Sequence, residues 1–591
     1  MRTFAKLTVV LIMWLAASWW GTLSALQAAD YLIPKDLKDL RPAESLVLEK
    51  MVQGGTADLR ELRKRYGDAD ARSQLRPQFL EALLGQEFKP RRVHREGVRI
   101  ENAVITGPVN LVYETVPYAV EFINCQFQGQ VSFRDCTFQK DLKLDKSTFD
   151  GEARFNGTRI EGELLASHVD FKGEVGFVGV KVGRSAVFGS AKFRQRANFL
   201  RATMGEDLNV VVAQFHGEAV FTGVQIGREF TANGVKFFND EKTADFSRLE
   251  VKQLTNLTNS VFKGPVNFSK AKIGDATLGG EEVKGVIAER AEFARDAIFD
   301  GAQFYELIFE RVILKDLKLV RTTVEQQLRI EDANITSLDA SHLVVKGQTI
   351  LKNLRIEQEA NFTECRLQTL QLVQSPAPKA LVMGGMSYQG LTPVLETGDQ
   401  LFEWIKKSKF DTQNYRQLEA YFQRCGYEGR ADDVYISMKH KETERKGLLG
   451  RLATISLWEW PAGYGRRPLN ILWGSLIVFF LGMFIFRVRH VELKREENPA
   501  VGERNLPEEI SGKAETQPQG VSKPPKKEGW HFRTQALISL DHFLPALDLG
   551  FIRRWRFESM SIFMTIYVIL HRMMGYLFLS IAIATVLASF R

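Results

Sequence analysis

The chain has 591 residues, 45% hydrophobic and 25% charged, with a formal charge of +8. It is too long for one ordinary domain and too apolar for a disordered chain, so several folded modules are expected. Its four cysteines, Cys125, Cys136, Cys365 and Cys425, lack C-x-x-C spacing, which argues against zinc or dithiol chemistry and a disulfide framework. A Cys125–Cys136 bridge is conceivable in an oxidising compartment, but buried thiols are the simpler reading.

At the start, Arg2 and Lys6 flank an apolar stretch from Leu7 to Gly21, and small residues (Ser24, Ala25, Ala28, Ala29) precede Asp30. Residues 1–29 therefore read as a secretory signal or an uncleaved anchor, with the following chain exported. Over 30–95, AESLVLEKMV and RPQFLEALLG are amphipathic at helical spacing and predict a helical N-terminal cap.

From residue 96 the chain repeats. Phe127, Phe149, Phe171, Phe193, Phe215 and Phe237 recur at one fixed interval, and a second column runs through Phe133, Phe155, Phe177, Phe199 and Phe221. Half-steps of that interval carry Phe138, Ile160, Val182, Met204 and Ile226. Short alternations such as V-S-F and A-R-F, ended by glycine, are strand grammar. Together they predict a mainly β fold, a right-handed parallel β-helix of about 22 residues per coil, over 96–375. Each coil would advance about 4.8 Å and stack the phenylalanines in the core. Gly129, Gly151, Gly173 and Gly217 mark tight bends, with positive φ as one reason for glycine. Register slips within FFNDEKT (237–243) and near GGEEVKG (279–285) predict outward insertions, and the helix is expected to run to about Val373.

Residues 376–465 read as a helical hairpin (414–424 and 431–446) and a membrane-proximal region. Leu469 to Phe486 is uncharged and predicts a transmembrane helix, as does 562–590. Between them, 487–529 reads as a charged disordered linker, cytoplasmic by the positive-inside tendency, and 530–558 as an amphipathic membrane-surface segment broken at Pro545.

GVRIENAVITGPVNL (97–111) leading into FINCQFQGQVSF, followed by 415–442, GYGRRPLNIL (463–472) and HRMMGYLFLSIAIA (571–584), resembles membrane-anchored bacterial pentapeptide-repeat-like proteins. The resemblance implies a β-helix body with C-terminal transmembrane segments, and implies little about activity. The coils here are longer than strict pentapeptide repeats. Some members end in a region resembling a two-span ion channel, and ALISLDHFLPALDLG sits where a pore helix and filter would lie, without T-V-G-Y-G.

Chemistry is sought in aligned acids. The place after the bend glycine stacks Glu152 and Glu174, then Arg196, then Glu218, and the half-coil equivalent stacks Asp141, Glu163, Ser185, Asp207 and Glu229. Carboxylates about 4.8 Å apart are candidates for a divalent cation or for acid catalysis. The competing structural reading has Arg196, Lys140, Arg184 and Arg228 relieving their repulsion. No P-loop, dinucleotide fingerprint or H-E-x-x-H occurs, so no catalytic residue and no cofactor is assigned. Excess positive charge near the membrane ends suits anionic lipid headgroups better than nucleic acid. The reading is a non-catalytic scaffold or binding protein of the bacterial inner membrane, its repeat body in the periplasm or outside the cell. Its partners would be lipids and envelope proteins or polysaccharide. The alternatives are a polysaccharide-binding or polysaccharide-cleaving β-helix, and a two-span channel-like protein regulated by its repeats.

Overall fold

The computed structural model describes residues 39–85, 94–274, 285–445, 469–488, 532–544 and 562–589. The predicted signal (1–29) and nearly all of the predicted linker (487–529) lie outside the described residues. The chain divides into two compact units, Met1–Leu418 and Glu419–Arg591.

The first unit is a parallel β-solenoid of about 13 turns. In its lower part a coil contributes four two-residue strands, as in Asp170–Phe171, Val175–Gly176, Lys181–Val182 and Ala186–Val187. These strands join two sheets of 23 strands each. Backbone groups bond from coil to coil: Val175 N donates to Arg196 O at 2.9 Å and Phe177 N to Asn198 O at 2.7 Å. The core follows from the predicted columns. Phe127, Phe149, Phe171, Phe193, Phe215 and Phe237 pair in register and are at most 5% exposed. Their rings stack at centroid distances of 4.5 to 5.4 Å, and the second column meets the first edge-on, as Phe171 meets Phe177 at 84°.

Coil length changes where the sequence slips. Phe237 pairs with Phe262 and Phe262 with Phe293, so the extra residues leave the core register intact. Above Phe293 the steps of this column are shorter by one residue, through Leu314, Ile335 and Ile356. The short strand pairs there merge into longer strands such as Thr323–Glu331. The solenoid runs beyond Val373, through Ala380–Val382 and Ser387–Leu391.

The bend glycines serve another purpose than the one expected. Gly129, Gly151, Gly173 and Gly217 are not at positive φ; instead a Cβ on Gly173 would sit 2.5 Å from Gly151 O in the coil below. Close approach of stacked backbones demands glycine here. The left-handed residues lie elsewhere, at corners half a coil apart, among them Lys146, Gly157, His168, Gly179, Ser190, Arg201, Val212 and Gly223.

Both solenoid ends are covered. The N-terminal segment supplies α1 (Pro42–Gln53), α2 (Arg60–Tyr66) and α3 (Pro77–Leu84). It also supplies strand pairs, Ala57–Asp58 on Ile100–Glu101 and Gln74–Leu75 on Val104–Ile105, that begin the sheets. Glu44, fully buried, is held by Arg76 at 2.6 Å. At the other end α4 (Val394–Lys407), not anticipated from sequence, places Trp404 Nε1 against Ser375 O at 2.8 Å and Thr397 Oγ1 under Leu372 N at 3.2 Å. Helices α5 (Thr412–Arg424) and α6 (Glu428–Glu444) match the predicted hairpin closely.

In the second unit, α7 (Leu469–Val488), α8 (Phe532–Phe543) and α9 (Ile562–Ser589) pack together. The sequence predicts two spans, but among the described residues only Thr565–Ile583 is long and apolar enough to cross a membrane. In α7, a helix of 20 residues, the apolar stretch found among the described residues is Trp473–Ile485. Helix α8 falls within the segment predicted at 530–558, of which 545–558 lies outside the described residues. It stops before Pro545 and contacts both α7 and α9, with Gln535, Ser539, Asp541 and His542 buried.

Candidate functional site

The predicted carboxylates stand on the solenoid exterior, spaced by the coil register. Glu152 lies one coil below Glu174, and Asp141 one below Glu163. Most are engaged. Glu152 pairs with Arg154 at 2.6 Å, Glu163 with Arg184 at 3.0 Å, Glu218 with Arg196 at 3.1 Å and Asp207 with Arg228 at 3.4 Å. Asp141 accepts from Glu163 N at 2.9 Å and Asp207 from Glu229 N at 3.2 Å, so aspartates in the second ladder also tie one coil to the next. Glu174 is exposed and Glu229 half-buried. Among the described residues no three His, Cys, Asp or Glu side chains converge as a metal ion would require.

A further ladder, which sequence reading missed, runs inside. In most coils the residue after the left-handed corner is buried, and Cys, Ser and Thr there donate to a carbonyl of the coil below. Cys136 Sγ meets Leu111 O at 2.8 Å, Ser147 Oγ meets Phe122 O at 2.8 Å and Thr158 Oγ1 meets Phe133 O at 2.6 Å. Cys125 and Cys365 occupy the same kind of position. These are separate free thiols. Burial pushes Cys125 and Cys365 up to about 12 and Cys136 up to about 11, so none is a nucleophile near neutral pH. The signal was present in sequence as the half-coil step from Cys125 through Cys136 and Ser147 to Thr158.

On the exterior, one open groove of about 650 Å³ crosses several coils, lined by Thr203, Gln225, Glu250, Lys272, Gln303 and Glu325 among others. Its walls are outward strand residues in register, Thr203 on Gln225 and Lys272 on Gln303. Amide, hydroxyl and charged groups in an open trough suit binding of an extended polar ligand.

In the helical unit a polar cluster sits among apolar side chains. Ser539 Oγ donates to Phe479 O of α7 at 2.9 Å, and His571 Nε2 of α9 lies 3.2 Å from Ser539 O. That contact needs the proton on Nε2, which leaves Nδ1 to accept from Tyr567 OH at 3.3 Å. Arg572 Nε donates to His542 Nδ1 at 3.2 Å. Glycine permits this packing: a Cβ on Gly575 would overlap Phe543 O, and one on Gly482 would lie 2.5 Å from Ser539 Oγ.

Residues 122–165 match the family model for pentapeptide repeats (9 copies). No curated protein matches. No solved structure matches. The repeat match and the solenoid together support a pentapeptide-repeat β-helix, an architecture that fits a structural or binding role.

Proposed function

We propose that this pentapeptide-repeat β-helix is a rigid, non-catalytic binding scaffold of the bacterial envelope, held at the inner membrane by its C-terminal helices with the solenoid on the extracytoplasmic side. The observation that carries this reading is the continuous coil-to-coil stacking of the core, which presents outward side chains in fixed ladders. The apolar length of Thr565–Ile583 supports the tether, and the basic, apolar and small-residue order of 1–29 supports export. A pull-down from native membranes with the full chain should enrich partners that the membrane segment alone does not. Equal capture by the two would sink the scaffold reading. A reporter fused after Lys513 should report from the cytoplasm, and an external signal would reverse the orientation.

One observation favours a second reading. Helix α8 is short, carries buried polar residues and packs against two apolar helices, an arrangement found where a re-entrant segment borders an ion path. On that reading liposomes holding the full chain would pass ions, and deletion of 530–591 would abolish the flux.

A further inference from the structure

We propose that one corner of the solenoid is a linear binding site for an anionic polysaccharide, with Arg201, Arg248, Lys270 and Arg321 as its charged ridge. The proposal names a ligand for the binding surface described above and rests on that reading.

Six successive coils place Arg201, Gly223, Arg248, Lys270, Gly301 and Arg321 at the same corner. Arg201 N donates to Thr222 O, Gly223 N to Ser247 O, Arg248 N to Ser269 O, Lys270 N to Asp300 O and Gly301 N to Val320 O. Five steps of about 4.8 Å make the ridge roughly 24 Å long. All four cations are exposed, and among the described residues none makes a side-chain hydrogen bond or an ion pair. Asp300 feels the charge of Arg321, but its carboxyl is turned to the backbone, accepting from Val320 N at 3.2 Å.

Folding does not explain these residues. Each sits at positive φ, 53° for Arg201, 55° for Arg248, 59° for Lys270 and 54° for Arg321, where glycine or asparagine is the less strained choice. The alternate corner uses Asn102, Asn124, Asn259 and Asn353 in the same conformation. Where that corner carries arginine, the charge is paired: Arg290 and Arg311 reach Glu289 at 3.6 and 2.8 Å. Lys146 is the isolated cation there, with Asn124 below it and His168 above. The ridge differs in holding four such cations in one row, each in left-handed backbone and none neutralised by a neighbouring acid.

The groove lies beside the ridge. Thr203, Gln225, Glu250, Lys272 and Gln303 follow the ridge positions by two residues and line it. Gly205, Gly227 and Gly274 leave its floor bare of side chains. Lys252 and Lys272 add positive charge; of the groove carboxylates Glu250 and Glu325, the latter is held by Lys346 at 2.8 Å. Amides and a hydroxyl beside cations that stand two, one and two coils apart match a chain of sugar hydroxyls that carries carboxylates. Among the described residues no exposed aromatic ring stands on the ridge or in the groove to stack a nucleobase. Backbone groups at this corner already bond to the next coil, so an acidic peptide finds no strand edge to extend.

The test uses the full chain in detergent, with polygalacturonate, neutral dextran and single-stranded DNA as ligands, against the variant carrying Arg201→Asn, Arg248→Asn, Lys270→Asn and Arg321→Asn. Polygalacturonate should bind, less tightly as salt rises. The variant should bind at least about tenfold more weakly, as loss of four charge-assisted contacts implies. Its unfolding midpoint should be equal or higher, because asparagine suits the left-handed corner. Unchanged affinity, a lower midpoint, or equal binding of dextran would overturn the proposal, and tighter binding of DNA would give the site to nucleic acid instead. If the variant keeps its affinity for polygalacturonate while the full chain still enriches partners from native membranes, the ridge assignment fails and the scaffold reading stands.

Discussion

Substituting leucine for a ring in the phenylalanine ladder should cost stability in proportion to the rings it stacks on. Phe193 is 1% exposed and stacks on Phe171 at 5.4 Å and on Phe215 at 4.5 Å. Phe293 is fully buried too but stacks on Phe262 only, at 5.0 Å, because Leu314 follows it in the column. Leucine nearly conserves volume, so the cavity contribution is small, and each lost aromatic pair is worth about 0.5–1.5 kcal/mol. Counting the stacked pairs alone, and leaving aside the angled contacts of Phe193 with Phe188 and Phe199 and of Phe293 with Phe309, Phe193→Leu should cost about 1–3 kcal/mol and Phe293→Leu about half of that. Phe193→Ala, which leaves a void, should cost about 3–5 kcal/mol. Because each coil touches only its neighbours, amide hydrogen exchange should quicken in the coils bearing Phe171 and Phe215 and fade beyond them. The reasoning is refuted if Phe293→Leu costs as much as Phe193→Leu, or if exchange quickens evenly along the solenoid.

Three further outcomes are expected. Val212 holds a φ of 56° while half exposed, so Val212→Asn should raise stability by about 1 kcal/mol in denaturant titration; a loss would show that its methyl groups pack usefully. A maleimide added to the native chain should label Cys425 and spare Cys125, Cys136 and Cys365, which are buried, with mass spectrometry of the digest as the readout. His216 stacks on Phe238 at 4.7 Å, and loss of water from that face, then Arg194 and Lys192, hold it below its ordinary 6.5. The unfolded chain then binds the proton more readily, so this contribution to stability is complete above 6.5 and declines as pH falls toward the lowered folded value. His216→Asn should flatten that slope, and an unchanged slope would locate it in another group.

The core was legible because its signal is periodic and rests on one residue type. Phe127 to Phe237 could be aligned without a structure, and the slips at 237–243 and 279–285 could be counted. The corners were not legible in the same way. Lys146, His168, Ser190 and Val212 share one left-handed conformation but no chemistry, since the turn is imposed by the coils above and below and not by local preference. For the same reason the bend glycines were found and their purpose was not. The absent Cβ at Gly173 makes room for Gly151 O, a full coil earlier in the chain, a contact no local rule contains. The groove arises likewise, from residues such as Gln225 and Gln303 that only stacking brings to one side. In the helical unit, hydropathy found α7 and α9 but could not foresee that α8 would hold its polar residues against both.

Coil length changes without moving the core register, since Phe237 still meets Phe262 and Phe262 still meets Phe293 across two insertions. The solenoid is thus built like a ruler graduated in coils. Cutting or duplicating the segment from Phe149 to Asp170 would shorten or lengthen it by one graduation, about 4.8 Å, while leaving both capped ends as they are. Any object that must bridge its ends would register such edits as discrete steps, and a series of coil deletions would measure the distance that its cellular setting requires.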